Sequence, residues 1–164
     1  MDHIEQKIVD IIEANAQQII EIGHRIWEHP ELGYKEHCTS ALFAEFCAEH
    51  GLTVEKGLAV TGVKGYLKPP SEGNVTVALM GELDALPMSD SPYAHPDTGA
   101  AHVCGHNSQM AGIMGALLAL SVPEVKEALG GNVVFFAAPS EEFVEIEFKQ
   151  GLMEKGIIGY GGGT

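Results

Sequence analysis

Apolar positions at the start of the chain recur at helical intervals. Ile4, Ile8, Ile11 and Ile12 are followed by Ile19, Ile22 and Ile26, at spacings of three, four and seven that put them on one face. Asp2 stands where a side chain caps such a helix, and the pattern predicts a helix running to about Glu28. Gly23 interrupts that stripe, and His29-Pro30 stops it. A second helix is predicted over residues 38–50, with Leu42, Phe43, Phe46 and Cys47 on one face and Gly51 closing it. Short strands are expected over 53–56 and 62–67, then a turn over 69–74. The apolar runs 75–81 and 132–137 read as strands buried on both faces. Residues 108–120 read as a helix whose small positions, Ala111, Gly112, Gly115, Ala116 and Ala119, allow close packing on a sheet. A last helix is expected over 145–155. This order implies an α/β fold, a mostly parallel sheet flanked by helices.

Composition narrows the function classes. The chain has 164 residues, enough for one domain with a real core, and its 45% apolar and 20% charged residues are ordinary for a globular protein. A net charge of −14 argues against nucleic acid and anionic membrane surfaces as partners. Three cysteines, Cys38, Cys47 and Cys104, make no disulfide framework and fit a reducing compartment. No apolar stretch is long enough to span a bilayer, and the polar start reads into a helix and not into a signal peptide. The expectation is a cytoplasmic protein.

Three short runs carry chemistry: Glu82-Leu83-Asp84-Ala85-Leu86-Pro87, His102-Val103-Cys104-Gly105-His106-Asn107 and Ala138-Pro139-Ser140-Glu141-Glu142. In open α/β sheets ligands bind beyond the carboxyl ends of the strands. Asp84 follows one predicted strand, Glu141 and Glu142 follow another, and Cys104 and His106 open a helix, so all three runs belong to one sheet edge. Thiolate, imidazole and carboxylate are the ligands that zinc and similar ions take. Of the adjacent glutamates, one can face a metal while the other faces a water. Asp84 can orient a ligand histidine. Each residue alone has a plainer reading: a buried cysteine beside a surface histidine, an acidic helix start, an Asp in a turn. Their convergence on one edge favours the metal site. The glycines at 159–163 lack the lysine of a phosphate-binding loop and read as a turn.

These runs, with His29-Pro30-Glu31-Leu32-Gly33-Tyr34-Lys35-Glu36 before them, resemble a metallopeptidase family. It is the family of aminoacylases, carboxypeptidases, indole-acetyl-amino-acid hydrolases and p-aminobenzoyl-glutamate hydrolase. The resemblance implies a zinc-exopeptidase-like fold and a two-metal site, with zinc or manganese. It places Cys104, His106 and Glu142 on metal-ligand positions, Glu141 on the general base and Asp84 on the supporting acid. It implies hydrolysis of the amide of an N-acyl amino acid or dipeptide, and a homodimer at full length. Asn107 and Gln109 stand where many members carry Asp and His. Glu82 stands where other branches carry His or Asp, and the pattern is closer to the p-aminobenzoyl-glutamate branch. The likeness covers the N-terminal half of the family's catalytic domain. The inserted dimerisation domain and two further ligand histidines belong to its other half. Residues 1–164 by themselves are therefore expected to be inactive, unless His95 or His102 completes the site. The alternative is a non-catalytic α/β binding fragment with an inherited, incomplete metal site.

Overall fold

The computed structural model describes residues 1–69, 75–142 and 145–158. Asp2 caps helix α1 (His3–Ala14), accepting from the Glu5 amide at 2.8 Å while the Glu5 carboxylate takes the Asp2 amide at 2.7 Å. The predicted long helix breaks at Asn15 and not at Gly23. The Asn15 side chain donates to the Ile11 carbonyl at 2.7 Å and closes α1, and α2 (Ala16–Glu28) starts afresh. Gly23 lies buried inside α2, where a β-carbon would come within 3.3 Å of Ala111 on α4 (His106–Leu120). A β-carbon at Gly115 would meet Ile19 at 2.9 Å. The small residues of α4 thus admit α2 as well as the sheet.

Helix α3 (His37–Glu49) ends at Gly51, whose φ of 75° is the left-handed closure that the glycine predicts. The strands are β1 (Thr53–Leu58), β2 (Gly62–Tyr66), β3 (Thr76–Glu82), β4 (Leu86–Pro87), β5 (Ala100–Ala101) and β6 (Asn132–Ala138). Helices α5 (Pro123–Ala128) and α6 (Ile146–Glu154) complete the described elements, α5 having no counterpart in the sequence reading. Residues 70–74 of the turn predicted over 69–74, and the glycine run at 159–163, lie outside the described residues.

The main sheet has the order β1-β2-β6-β3 and is mixed. β3 and β6 are parallel, joined through α4, whereas β1–β2 and β2–β6 are antiparallel. A mostly parallel sheet is expected from the sequence, whereas parallel pairing here is confined to β3–β6. A connection as short as 59–61 can only return the chain antiparallel. β4 and β5 form a separate two-stranded ribbon between β3 and α4.

Helices α3 and α4 cover one face, burying Phe43, Cys47, Leu67, Met110, Met114, Leu117 and Phe135. The other face carries Lys64, Met80 and Phe136, which with Tyr34, Leu58 and Ile157 line an open cavity of about 340 Å³. The reading of β3 as buried on both faces does not hold. It is an edge strand, with Val77 54% and Met80 57% exposed. No helix among the described residues is long and apolar enough to cross a membrane.

The parallel pair positions the chemistry. Glu82 lies opposite Ala138, so β3 and β6 end side by side and point the same way. The Leu83 amide donates to the Ala138 carbonyl at 2.9 Å and extends the register by one step. Asp84 and the 140–142 turn leave the sheet together, and the first turn of α4 arrives between them.

Candidate metal centre

Gly105 turns the chain into α4 with a φ of 97°, a conformation suited to glycine, between Cys104 and His106. His106, the first residue of α4, is buried. Its Nδ1 lies 2.8 Å from the Asp84 carbonyl and 3.3 Å from Asp84 Oδ1. A carbonyl can only accept, so Nδ1 carries the proton and Nε2 is left to face outward. Nε2 looks into a ring of carboxylates: Glu82 at 3.0 Å, Glu142 at 3.7 Å and Glu141 at 3.9 Å. Asp84 Oδ2 also accepts the Glu142 amide at 3.3 Å, which ties the two strand ends together.

Donor atoms of Cys104, His106 and Glu142 lie within 4.8 Å of one another, and so do those of Glu82, His106 and Glu141. All five residues named from the sequence, Asp84, Cys104, His106, Glu141 and Glu142, thus meet at one sheet edge. Glu82 joins them, though the sequence reading gave it no role. Its signal was its place as the last residue of a strand that ends at the site. His102 is buried with neither ring nitrogen hydrogen-bonded, and it lies outside both donor clusters. His95 is likewise in neither.

Like charges crowd here. The hydrogen bond to Asp84 leads the effects that hold the His106 ring up at about 9, against the pull of burial. Burial alone would raise Asp84, but the His106 ring and the Glu141 and Glu142 amides outweigh it and leave its carboxyl below the ordinary range. Burial, then Glu82 and Glu142, push the Glu141 carboxyl up. The Cys104 thiol is raised chiefly by the Glu142 carboxylate beside it. Burial, reinforced by His106, lowers His102 to about 4, so that ring is neutral.

The residues fit a divalent cation. Four carboxylates and a thiol surround one imidazole, and Glu142 Oε1 is buried with no hydrogen-bond partner. An orphaned carboxylate oxygen in a negative cluster is costly unless a cation takes it. Thiolate, imidazole and carboxylate together suit zinc or a similar ion.

Comparison with known proteins points the same way. The profile of peptidase family M20/M25/M40 matches residues 78–158, which hold every residue of the cluster. Thermostable carboxypeptidase 2 of Saccharolobus solfataricus is 33% identical over 162 residues, a match that takes in 96% of this chain and 40% of that protein. Hippurate hydrolase of Campylobacter jejuni is 33% identical over 140 residues, covering 82% of this chain and 35% of the hydrolase. Among solved structures, a dinuclear metal-binding peptidase of the M20 family from Bacillus subtilis superposes with a TM-score of 0.67 at 27% identity, over 88% of this chain and 40% of that one. The chain spans about 40% of the length of the carboxypeptidase and of the dinuclear peptidase.

Proposed function

The chain belongs to peptidase family M20/M25/M40, and from that premise we propose that it supplies one wall of a metal-dependent amidohydrolase site. The observation that carries the reading is His106 Nε2 facing Glu82, Glu141 and Glu142 at 3.0–3.9 Å, with Cys104 in the same cluster. Cys104, His106 and Glu142 are the protein ligands in this reading, with Glu82 beside them. The donor set suits zinc or manganese, and two ions accord with the dinuclear peptidase. A bound divalent cation supplies Lewis acidity, polarising an amide carbonyl and lowering the pKa of a water.

The chain's own residues do the rest. Asp84 holds the Nδ1 proton of His106 and so keeps Nε2 available as a ligand. Glu141, half exposed beside the less exposed Glu142, holds the proton of the attacking water and returns it to the leaving nitrogen. Its raised carboxyl suits that exchange better than an ordinary glutamate. The substrate class is the amide of an N-acyl amino acid, a dipeptide or a p-aminobenzoyl-glutamate-like compound. The family resemblance adds a homodimer, and three unpaired cysteines accord with the cytoplasm.

Residues 1–164 alone are expected to hold metal weakly and to turn over none of these substrates. In the family-length protein, Glu141→Gln is expected to keep zinc or manganese content and lower turnover by about 10²–10⁴. Cys104→Ala is expected to lose metal as well. Equal turnover in wild type and Glu141→Gln would remove the assigned base. A family-length protein that binds metal and hydrolyses none of these amides would favour the non-catalytic binding reading.

A further inference from the structure

Glu36 lies outside the metal cluster, yet it is the largest carboxyl side chain among the fully buried ones, with 0% exposure. Both of its oxygens are used. Oε2 accepts the Thr61 hydroxyl at 2.6 Å, and Oε1 accepts the Ser140 amide at 2.8 Å. Ser140 immediately precedes Glu141 and Glu142. Its φ of 48° is one that a residue with a β-carbon keeps only when its surroundings impose it.

The rest of the 29–36 loop presses on the same place. A β-carbon at Gly33 would lie 2.4 Å from Ser140 Oγ and 2.9 Å from Ser140 Cβ, so the loop backbone seats directly against that turn. On its other side the loop bonds to the opposite wall of the cluster. Leu32 bridges to Ala85, and the Ala85 amide donates to the Glu31 carbonyl at 2.8 Å. Glu31 anchors the loop to α3 by accepting the Cys38 and Thr39 amides, each at 2.9 Å. One loop therefore grips the residue after Asp84 and the residue before Glu141.

We infer that Glu36 is a positioning residue, which holds the Ser140 turn in the conformation that presents Glu141 and Glu142 to the cluster. It acts as a hydrogen-bond acceptor and needs no charge to do so. A glutamine fits that role: its oxygen takes the Ser140 amide and its nitrogen donates to the Thr61 hydroxyl, which can accept. The inference rests on the metal-centre reading only for its effect on metal binding. The effect on the turn stands apart from it.

Two measurements on residues 1–164 separate the two. Amide exchange at Ser140, Glu141 and Glu142, followed by NMR, reads the turn, and zinc titration against a chromophoric chelator reads the cluster. Glu36→Ala is expected to speed Ser140 exchange roughly 10–100-fold and to leave exchange in the centre of α4 unchanged. It should weaken zinc roughly 10–100-fold. Glu36→Gln should restore both to within about threefold of wild type, which a loss of bulk or packing would not explain. If Glu36→Ala does not accumulate folded, Gly33→Ala replaces it. That variant should loosen the same amides and weaken zinc, and adding Ser140→Gly, which removes the obstructing β-carbon, should recover both. Unchanged Ser140 exchange in a folded Glu36→Ala or Gly33→Ala chain overturns the inference. So does a Glu36→Gln chain as impaired as Glu36→Ala. A wild-type chain that binds no zinc, with Ser140 exchange still dependent on Glu36, supports the positioning role and removes the metal reading instead.

Discussion

Asp84 and Glu36 are both buried carboxyls, 1% and 0% exposed, one beside the 29–36 loop and one within it, and they sit on opposite sides of the ordinary carboxylate range. Burial pushes both upward. At Glu36 it wins, because the partners are a neutral hydroxyl and neutral amides. At Asp84 it loses, because an imidazole that binds its proton tightly stands 3.3 Å away and two amides of the 141–142 turn add to it. Burial alone does not predict the state of an acid. What decides is whether a partner can carry positive charge. Asp84 serves as a fixed anion that orients a histidine, and Glu36 serves as an acceptor that orients backbone.

The harshest way to break this contrast is to remove the partner. His106→Ala leaves Asp84 buried without its counter-charge, and a loss of about 3–5 kcal/mol of unfolding free energy is expected in the absence of metal. Urea denaturation in chelator measures it. A loss under about 1 kcal/mol would mean that Asp84 does not depend on the imidazole. Asp84→Asn acts more gently from the other side. It keeps the shape and removes the charge, so the His106 ring should titrate well below the present value of about 9, nearer the histidine reference of about 6.5. Ring-proton NMR shifts against pH read this directly, and a His106 midpoint still near 9 would assign its proton affinity to Glu82 and the other carboxylates.

Much of the site was legible in sequence because its residues sit in short runs at element ends. Asp84, Cys104, His106, Glu141 and Glu142 each lie within a few residues of a strand end or helix start, and topology alone brings such ends together. Glu82 went unassigned because it is the last residue of β3, where a carboxylate also reads as the end of an apolar run. Glu36 was beyond reach for a different reason. Its partners are 25 and 104 residues away in sequence, and no local pattern encodes a bond between them. The fold divides in the same way. The isoleucine stripe reveals both first helices, but it runs across Asn15, so the break is invisible until the cap forms. The apolar run of β3 predicts a strand and says nothing of whether a neighbour lies on each side. The antiparallel β1–β2–β6 pairing depends on strand order, which periodicity does not contain.

The finest distinction between the two carboxyls is the sign of their pH dependence. Asp84 holds its proton less tightly when folded than when unfolded. Its contribution to stability is therefore complete above the unfolded aspartate range near 3.8 and is lost as pH falls through and below it. Glu36 holds its proton more tightly when folded. Its contribution is complete below the unfolded glutamate value of 4.5 and is lost as pH rises above it. Wild type should thus lose its advantage over Asp84→Asn on acidification below pH ~4, while Glu36→Gln should gain on wild type as pH rises from ~4.5 toward neutrality. Taking each variant's unfolding free energy relative to wild type cancels the titration of every other group that the substitution leaves alone. The Glu36 effect should be the smaller, since Gln keeps both hydrogen bonds and removes only the cost of burying charge. Parallel curves for the two variants would show that Glu36 is ionised and paired like Asp84, and its assignment as a neutral-capable acceptor would then fail.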